Sequence, residues 1–211
     1  MAEYLLYGFA QSGNSYKVGL YLELAGADWT TRFVDFFNGE TRTPAYRQIN
    51  IMGEAPVLEH EGQRFSQSAV ILDYLLERFG KYGWNNNDER RAILRWLFWD
   101  NHKLSSYTAT YRFLRVLAQN PNPVAVEEFR KRAESSWKIL DAHLMGRRYI
   151  ATDRMTVADI SACGYLFFED ELDVDWNQYP NLREWLQRIR FEPGWKHPYD
   201  LLPGHPIPKR T

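Results

Sequence analysis

The chain has 211 residues, 45% of them apolar and 25% charged, with a formal net charge of −1. That length holds one large or two small domains, and the composition supports a buried core and excludes a disordered chain. The balanced charge, without a basic run, argues against nucleic acid as the main partner, and no stretch approaches the ~18 apolar residues of a membrane span.

One cysteine, Cys163, excludes an internal disulfide framework and a CxxC redox pair. The N-terminus carries Glu3 and a strand-like run instead of a basic-then-apolar leader, so a cytoplasmic protein is the expectation. Aromatic residues reach 16%, with eight tryptophans, a content that core packing alone explains.

Tyr4-Leu5-Leu6-Tyr7 reads as a short buried strand. Ser15 to Ala25 follows with Val18, Leu20, Tyr21, Leu22 and Leu24, and Gly26 stops it, as expected for a helix. Trp29 to Phe37 is rich in β-branched and aromatic residues and reads as a second strand. A loop with Gly39 and Pro44 then encloses a short helix near Ala45 to Ile49. Ala55 to His60 and Gln63 to Phe65 read as a hairpin around Glu61-Gly62, and Ser68 to Phe79 as a helix with Val70, Ile71, Tyr74, Leu75 and Phe79 at helical spacing. The order βαβ, loop, ββα favours helices layered on a sheet.

Within this half, Glu54-Ala55-Pro56-Val57-Leu58 carries the most chemistry. Pro56 cannot donate a backbone hydrogen bond, so it belongs at a strand start or edge. The backbone beside it is then free to pair with an extended ligand. Ser66-Gln67-Ser68 supplies hydroxyls, a side-chain amide and helix-start N–H groups, a ready site for a carboxylate. Together the two segments suit a small peptide with a free carboxylate.

Two glycines and three asparagines in Gly80 to Asp88 mark a linker, taken as 81–87 between domains 1–80 and 88–211. Beyond it the pattern is helical. Glu89 to Gln119 is a long amphipathic run, Asn120-Pro121-Asn122-Pro123 interrupts it, and Val124 to Met145 and Asn181 to Arg190 follow. Thr156-Val157-Ala158-Asp159 fits a capping box, with Met155 and Ile160 at the staple positions. The helix it opens, Val157 to Phe168, is apolar nearly all round and should be buried, with Cys163 as an inert filler. The four prolines from Pro198 to Pro208 suggest an irregular arm.

Four of these features in this order resemble the glutathione transferase family: Ser12-Gly13-Asn14-Ser15-Tyr16-Lys17-Val18, Ala55-Pro56-Val57-Leu58, Gln67-Ser68, and the box at Thr156. The likeness to bacterial serine-type members covers nearly the whole chain. It implies α/β plus all-α architecture, with a thioredoxin-like N-terminal domain followed by an all-helical C-terminal domain. It implies a cis Ala55–Pro56 bond, glutathione as co-substrate, a homodimer, and a small hydrophobic electrophile in the helical domain's pocket, with peroxidase chemistry as a side activity. The chain departs from the family pattern at Ile51, where proline is usual, at Glu54, where a basic residue is usual, and at Gln67, usually acidic. Asn14 and Ser15 stand where serine-type classes often have proline and cysteine.

The chemistry implied is stabilisation of a thiolate, since a free thiol with a pKa near ~8.5 is mostly protonated at neutral pH. A hydroxyl near a helix N-terminus aimed at the sulfur lowers that value. Ser12 is the first candidate, although an ordinary N-cap serves equally to explain a serine there. Ser15 and Tyr7 are the other two. Ala55, Pro56, Glu54, Gln67 and Ser68 are expected to contact glutathione, Gln67 and Ser68 at its γ-glutamyl end and Glu54 near its glycyl carboxylate, which it would repel. Asp100, amid polar residues in mid-helix, would line a groove, and Tyr107 and Tyr111 the electrophile pocket, though tyrosines at that spacing are often core. With no HxxxH and no Cys/His cluster, no metal is expected. The rival function is a non-catalytic protein of the same fold that carries a ligand or docks a partner. A third reading, a thiol-disulfide oxidoreductase, fails on the cysteine count.

Overall fold

The computed structural model describes residues 2–207. They divide into two compact units, one holding the residues through Lys81 and those from Pro193 onward, the other Tyr82–Glu192.

The first unit is built on a four-stranded sheet of order β2-β1-β3-β4. Strand β1 (Tyr4–Gly8) leads through helix α1 (Gly13–Ala25) to β2 (Trp29–Phe33), helix α2 (Pro44–Ile49) and the hairpin β3 (Val57–His60) and β4 (Gln63–Ser66), and helix α3 (Ser68–Phe79) follows. β1 pairs with β2 in parallel and with β3 antiparallel, so the α1 crossover is required and the hairpin closes the other side. Alternation along β1 sends Tyr4 and Leu6 to one face. Tyr7 goes to the other, into a core with Phe9, Val34, Tyr46 and Val57. Gly26 and Gly80 close α1 and α3 in the left-handed conformation that glycine adopts without strain.

Two strands are shorter than the sequence suggests. β2 ends at Phe33 because Phe36 and Phe37 turn inward, Phe36 stacking on Phe9 with ring centres 5.0 Å apart. β3 begins at Val57 because Pro56 has no N–H to offer the ladder.

In the second unit α4 (Asn87–Trp99) and α5 (Ser105–Arg112) form one long run with the π-helical turns Asp100–Leu104 and Phe113–Leu117. Asn86 caps it, its Oδ1 accepting from the Asp88 and Glu89 amides, each at 2.9 Å. Then come α6 (Pro123–Leu144), α7 (Val157–Ala162), α8 (Glu169–Leu172) and α9 (Pro180–Arg190). The capping box at Thr156 and Asp159 forms, with Met155 and Ile160 buried. The helix it opens stops at Ala162, six residues short of Phe168, because the chain tightens into a 3₁₀ turn at Cys163–Tyr165.

Arg154 ties the start of this unit together. Its guanidinium donates to Glu89 at 2.6 Å and to the Gly83 carbonyl at 3.0 Å. The Arg154 bond, with that from the Asn85 amide, pulls the Glu89 carboxyl down to about 2. A depressed folded-state value means the stabilisation is present above the unfolded carboxylate range and is lost as pH falls towards 2. The melting temperature should therefore drop more steeply between pH 5 and pH 2 in the wild type than in Glu89→Gln. Parallel slopes in a thermal-melt series would show the ion pair to be inert.

The helical unit ends at Glu192, so the expected helical domain 88–211 is corrected at its end. From Pro193 the chain packs on α1. Tyr16 donates to the Lys196 carbonyl at 2.8 Å, and the Lys196 ammonium pairs with Glu23 at 2.6 Å. Within the expected irregular arm lies a short helix, α10 (Pro198–Leu201), with Pro198 in its first turn; Pro208 lies outside the described residues. Glycine is required at position 204, where φ is +100° and a Cβ would lie 2.5 Å from the Phe33 ring. The expected linker 81–87 is divided: Lys81 donates to the Ala25 carbonyl at 2.8 Å, and the Tyr82 carbonyl accepts from the Val157 amide at 2.9 Å.

Candidate functional site

The sheet register brings three loop segments to one end of the first unit. Tyr7 lies opposite Val57, so the loop after β1 emerges beside Pro56. Val57 lies opposite Ser66, so Gln67 and Ser68 emerge there too. The Ala55–Pro56 bond is cis, as the family resemblance implied.

Ser12 caps α1, its Oγ accepting from the Ser15 amide at 3.1 Å. The capping role accounts for the acceptor side of the hydroxyl. Its proton donates to no acceptor among the described residues. Ser15 is fully buried and its Oγ has no hydrogen-bond partner among the described residues. It sits against Gly8, where an added Cβ would lie 2.9 Å from the Ser15 Cβ, so glycine is what lets the end of β1 approach the start of α1.

Tyr7 is committed elsewhere. Its hydroxyl donates to Glu59 at 3.0 Å, and burial, followed by that carboxylate, pushes the phenol up. The diagonal, same-face placement of Tyr7 and Glu59 follows from the β1–β3 register, which the sequence reading had not worked out. The Tyr7 hydroxyl, one of the three candidate sulfur donors, is thus bonded within the sheet in this structure.

α3 starts at Ser68 without a side-chain cap. Among the described residues the buried Ser68 hydroxyl reaches only Asn14 Oδ1, at 3.5 Å. Gln67, at φ 69° and ψ 115°, stands in a region costly for a residue with a Cβ. Its amide nitrogen donates to Glu54 at 2.9 Å and approaches Met52 Sδ at 3.1 Å. The Glu54 carbonyl is held by Asn50 Nδ2 at 2.9 Å and by Tyr46 Oη at 3.1 Å, and burial raises the Tyr46 phenol to about 12. Sequence reasoning gave Asn14 no role of its own, though it stands inside the first motif.

The residues expected to line the second unit's pocket divide. Asp100 is buried in the first π-helical turn, accepting from Ser105 Oγ at 2.7 Å and Ser161 Oγ at 2.5 Å, so it is a strut between helices and not a groove wall. The wider turn rotates it inward. Tyr111 is buried edge-on against Trp137 and belongs to the core, also a correction. Tyr107 is half-buried, and the Lys103 ammonium donating to its hydroxyl at 3.0 Å lowers that phenol. Cys163 is buried and donates to the Ile160 carbonyl at 3.3 Å. Among the described residues no group of three or more His, Cys, Asp or Glu could hold a metal, and no helix is long and apolar enough to cross a membrane.

The glutathione S-transferase N-terminal domain model matches residues 2–77 and the C-terminal domain model residues 123–188. A solved structure of a possible glutathione S-transferase from Rhodopseudomonas palustris is 31% identical, with a TM-score of 0.86 over 93% of this chain and 90% of that one. The chain belongs to the glutathione S-transferase family. Its first unit is the family's thioredoxin-like domain, and its second the helical domain. Disulfide-bond oxidoreductase YfcG of Escherichia coli (strain K12) is 27% identical over 193 residues, spanning 88% of this chain and 90% of the relative. A glutathione transferase homolog from Lodderomyces elongisporus, solved with two GSH per subunit, shares the fold at 21% identity, with a TM-score of 0.88 over 96% of this chain and all of that one. The N-terminal glutathione S-transferase match spans all three segments of the cluster.

Proposed function

We propose that this glutathione S-transferase binds glutathione at the end of the sheet beside Pro56 and adds its thiolate to a small hydrophobic electrophile. The observation that carries the proposal is the uncapped start of α3, with the buried Ser68 hydroxyl beside the start of α1, the helix that Ser12 caps. Free first-turn N–H groups and a hydroxyl suit a carboxylate, here that of the γ-glutamyl end. The backbone at Ala55 would pair with the cysteinyl residue, and the Ser12 proton would meet its sulfur. The reaction forms a carbon–sulfur bond while the leaving group departs with the bonding pair. Tyr107, with its half-exposed ring, is the aromatic candidate for the electrophile. A homodimer in the cytoplasm, serving detoxification, completes the proposal.

The YfcG likeness favours a second chemistry. Bound glutathione thiolate can attack a disulfide itself, giving a mixed disulfide and releasing the other thiolate, so the single cysteine does not exclude disulfide exchange. A peroxide is a further acceptor to assay. The test is retention on immobilised glutathione, followed by turnover of an aryl halide, a model disulfide and an organic peroxide. Retention with no turnover would support a non-catalytic binder, and no retention would overturn the proposal. Ser68→Ala should weaken glutathione by ~1–3 kcal/mol, as for a hydrogen bond to a charged group. Unchanged affinity by calorimetry would remove Ser68 from the site.

A further inference from the structure

Glu54 and Gln67 are both departures from the family pattern, and they meet. The Gln67 amide nitrogen is engaged by a Glu54 carboxylate oxygen at 2.9 Å and by Met52 Sδ at 3.1 Å. With its donors so used, the amide has its carbonyl oxygen left as an acceptor. No lysine or arginine pairs with Glu54 among the described residues; Lys17 is buried, and Arg47 donates instead to the Ile51 carbonyl at 3.1 Å. An un-neutralised carboxylate and an amide oxygen therefore lie together beside the start of α3. That is an acceptor set for an ammonium group, one residue from the hydroxyl that would take the neighbouring carboxylate.

We propose that Glu54, oriented by Gln67, binds the α-ammonium of the γ-glutamyl residue, so that the negative charge missing at position 67 is supplied from position 54. This rests on the glutathione proposal above. It reverses the sign of the effect that Glu54 would have if it faced the glycyl carboxylate. Glu54 acts as a specificity determinant for γ-glutamyl thiols bearing a free amine, and Gln67 as its positioning residue. Both side chains are exposed, so the ion pair is screened by solvent and its contribution is modest.

The test is calorimetric titration of the full chain, as wild type and Glu54→Gln, at low and high salt. Three probes are used: glutathione, glutaryl-cysteinyl-glycine, which lacks only the amine, and glutathione amidated at its glycine. Glu54→Gln should weaken glutathione roughly fivefold and leave the glutaryl compound unchanged. Added salt should weaken glutathione binding to the wild type more than to the variant. Adding Gln67→Glu to the Glu54→Gln chain should restore the lost affinity. Tighter glutathione binding by Glu54→Gln, or a wild-type preference for the amidated compound, would overturn the proposal and put Glu54 beside the glycyl end. Equal affinities of both proteins for all three probes would also overturn it. Failure of the wild type to bind any of the three would defeat the glutathione proposal itself, a separate outcome.

Discussion

Replacing Ser12 by alanine is expected to lower turnover of an aryl halide by ~10²–10³ and to raise the pKa of bound glutathione, with glutathione affinity little changed. That is the usual effect of removing one donor to a developing anion. Ser12 Oγ already accepts from the Ser15 amide, so its proton is the part left for chemistry. Alanine also removes the cap, worth ~1 kcal/mol of stability. Ser12→Asp separates the two roles, since it keeps an acceptor for the Ser15 amide but has no proton to give at neutral pH. Its melting temperature should recover while its turnover stays low. Tyr7→Phe should retain activity, because that hydroxyl donates to Glu59 at 3.0 Å. Full activity in Ser12→Ala together with loss in Tyr7→Phe would reverse the assignment.

Asp159→Ala should destabilise the chain by about 3–5 kcal/mol, because each buried donor left without an acceptor costs ~1–3 kcal/mol. One carboxylate oxygen accepts from the Ile150 amide and Trp185 Nε1, both at 2.9 Å. The other accepts from the Thr156 amide at 2.9 Å and the Thr156 hydroxyl at 3.0 Å. Burial pushes the carboxyl up while these donors draw it down. Asp159→Asn would turn an N–H₂ towards two donors, so it should not rescue. The measurement is denaturant unfolding, read as a fall in midpoint at unchanged slope. A loss under about 1 kcal/mol would mean that water replaces the carboxylate.

The elements were legible where a local signal acts alone. Gly26 and Gly80 end their helices, and Thr156 with Asp159 forms the box. Misreadings came where tertiary contacts decide. Phe36 and Phe37 look like strand residues until the core formed with Phe9 draws them in. Asp100 looks exposed in a run of polar residues until a π-helical turn rotates it onto Ser105 and Ser161. That the proline segment and the start of α3 share one end of the sheet follows from the β1–β3 and β3–β4 pairings, while the cis bond was expected from the family resemblance and not from the residues alone. The commitments of individual side chains were not legible. Tyr7 to Glu59 spans 52 positions, and Gln67 to Glu54 spans a hairpin, so neither pairing has a local signature.

The return of the chain to α1 has a consequence for the order of assembly. The Ala10 amide donates to the Pro203 carbonyl at 2.8 Å, and Gln11 Nε2 to the Gly204 carbonyl at 2.6 Å. These two residues immediately precede Ser12. On the ribosome, the sheet and its helices emerge first, but the loop bearing that serine lacks its tethers until the residues around Pro203 have been made. The helical unit, encoded between, is therefore synthesised whole before the thioredoxin-like unit can be closed. A chain terminated early, even just after α9, would carry every proposed glutathione contact and yet leave the serine loop untied.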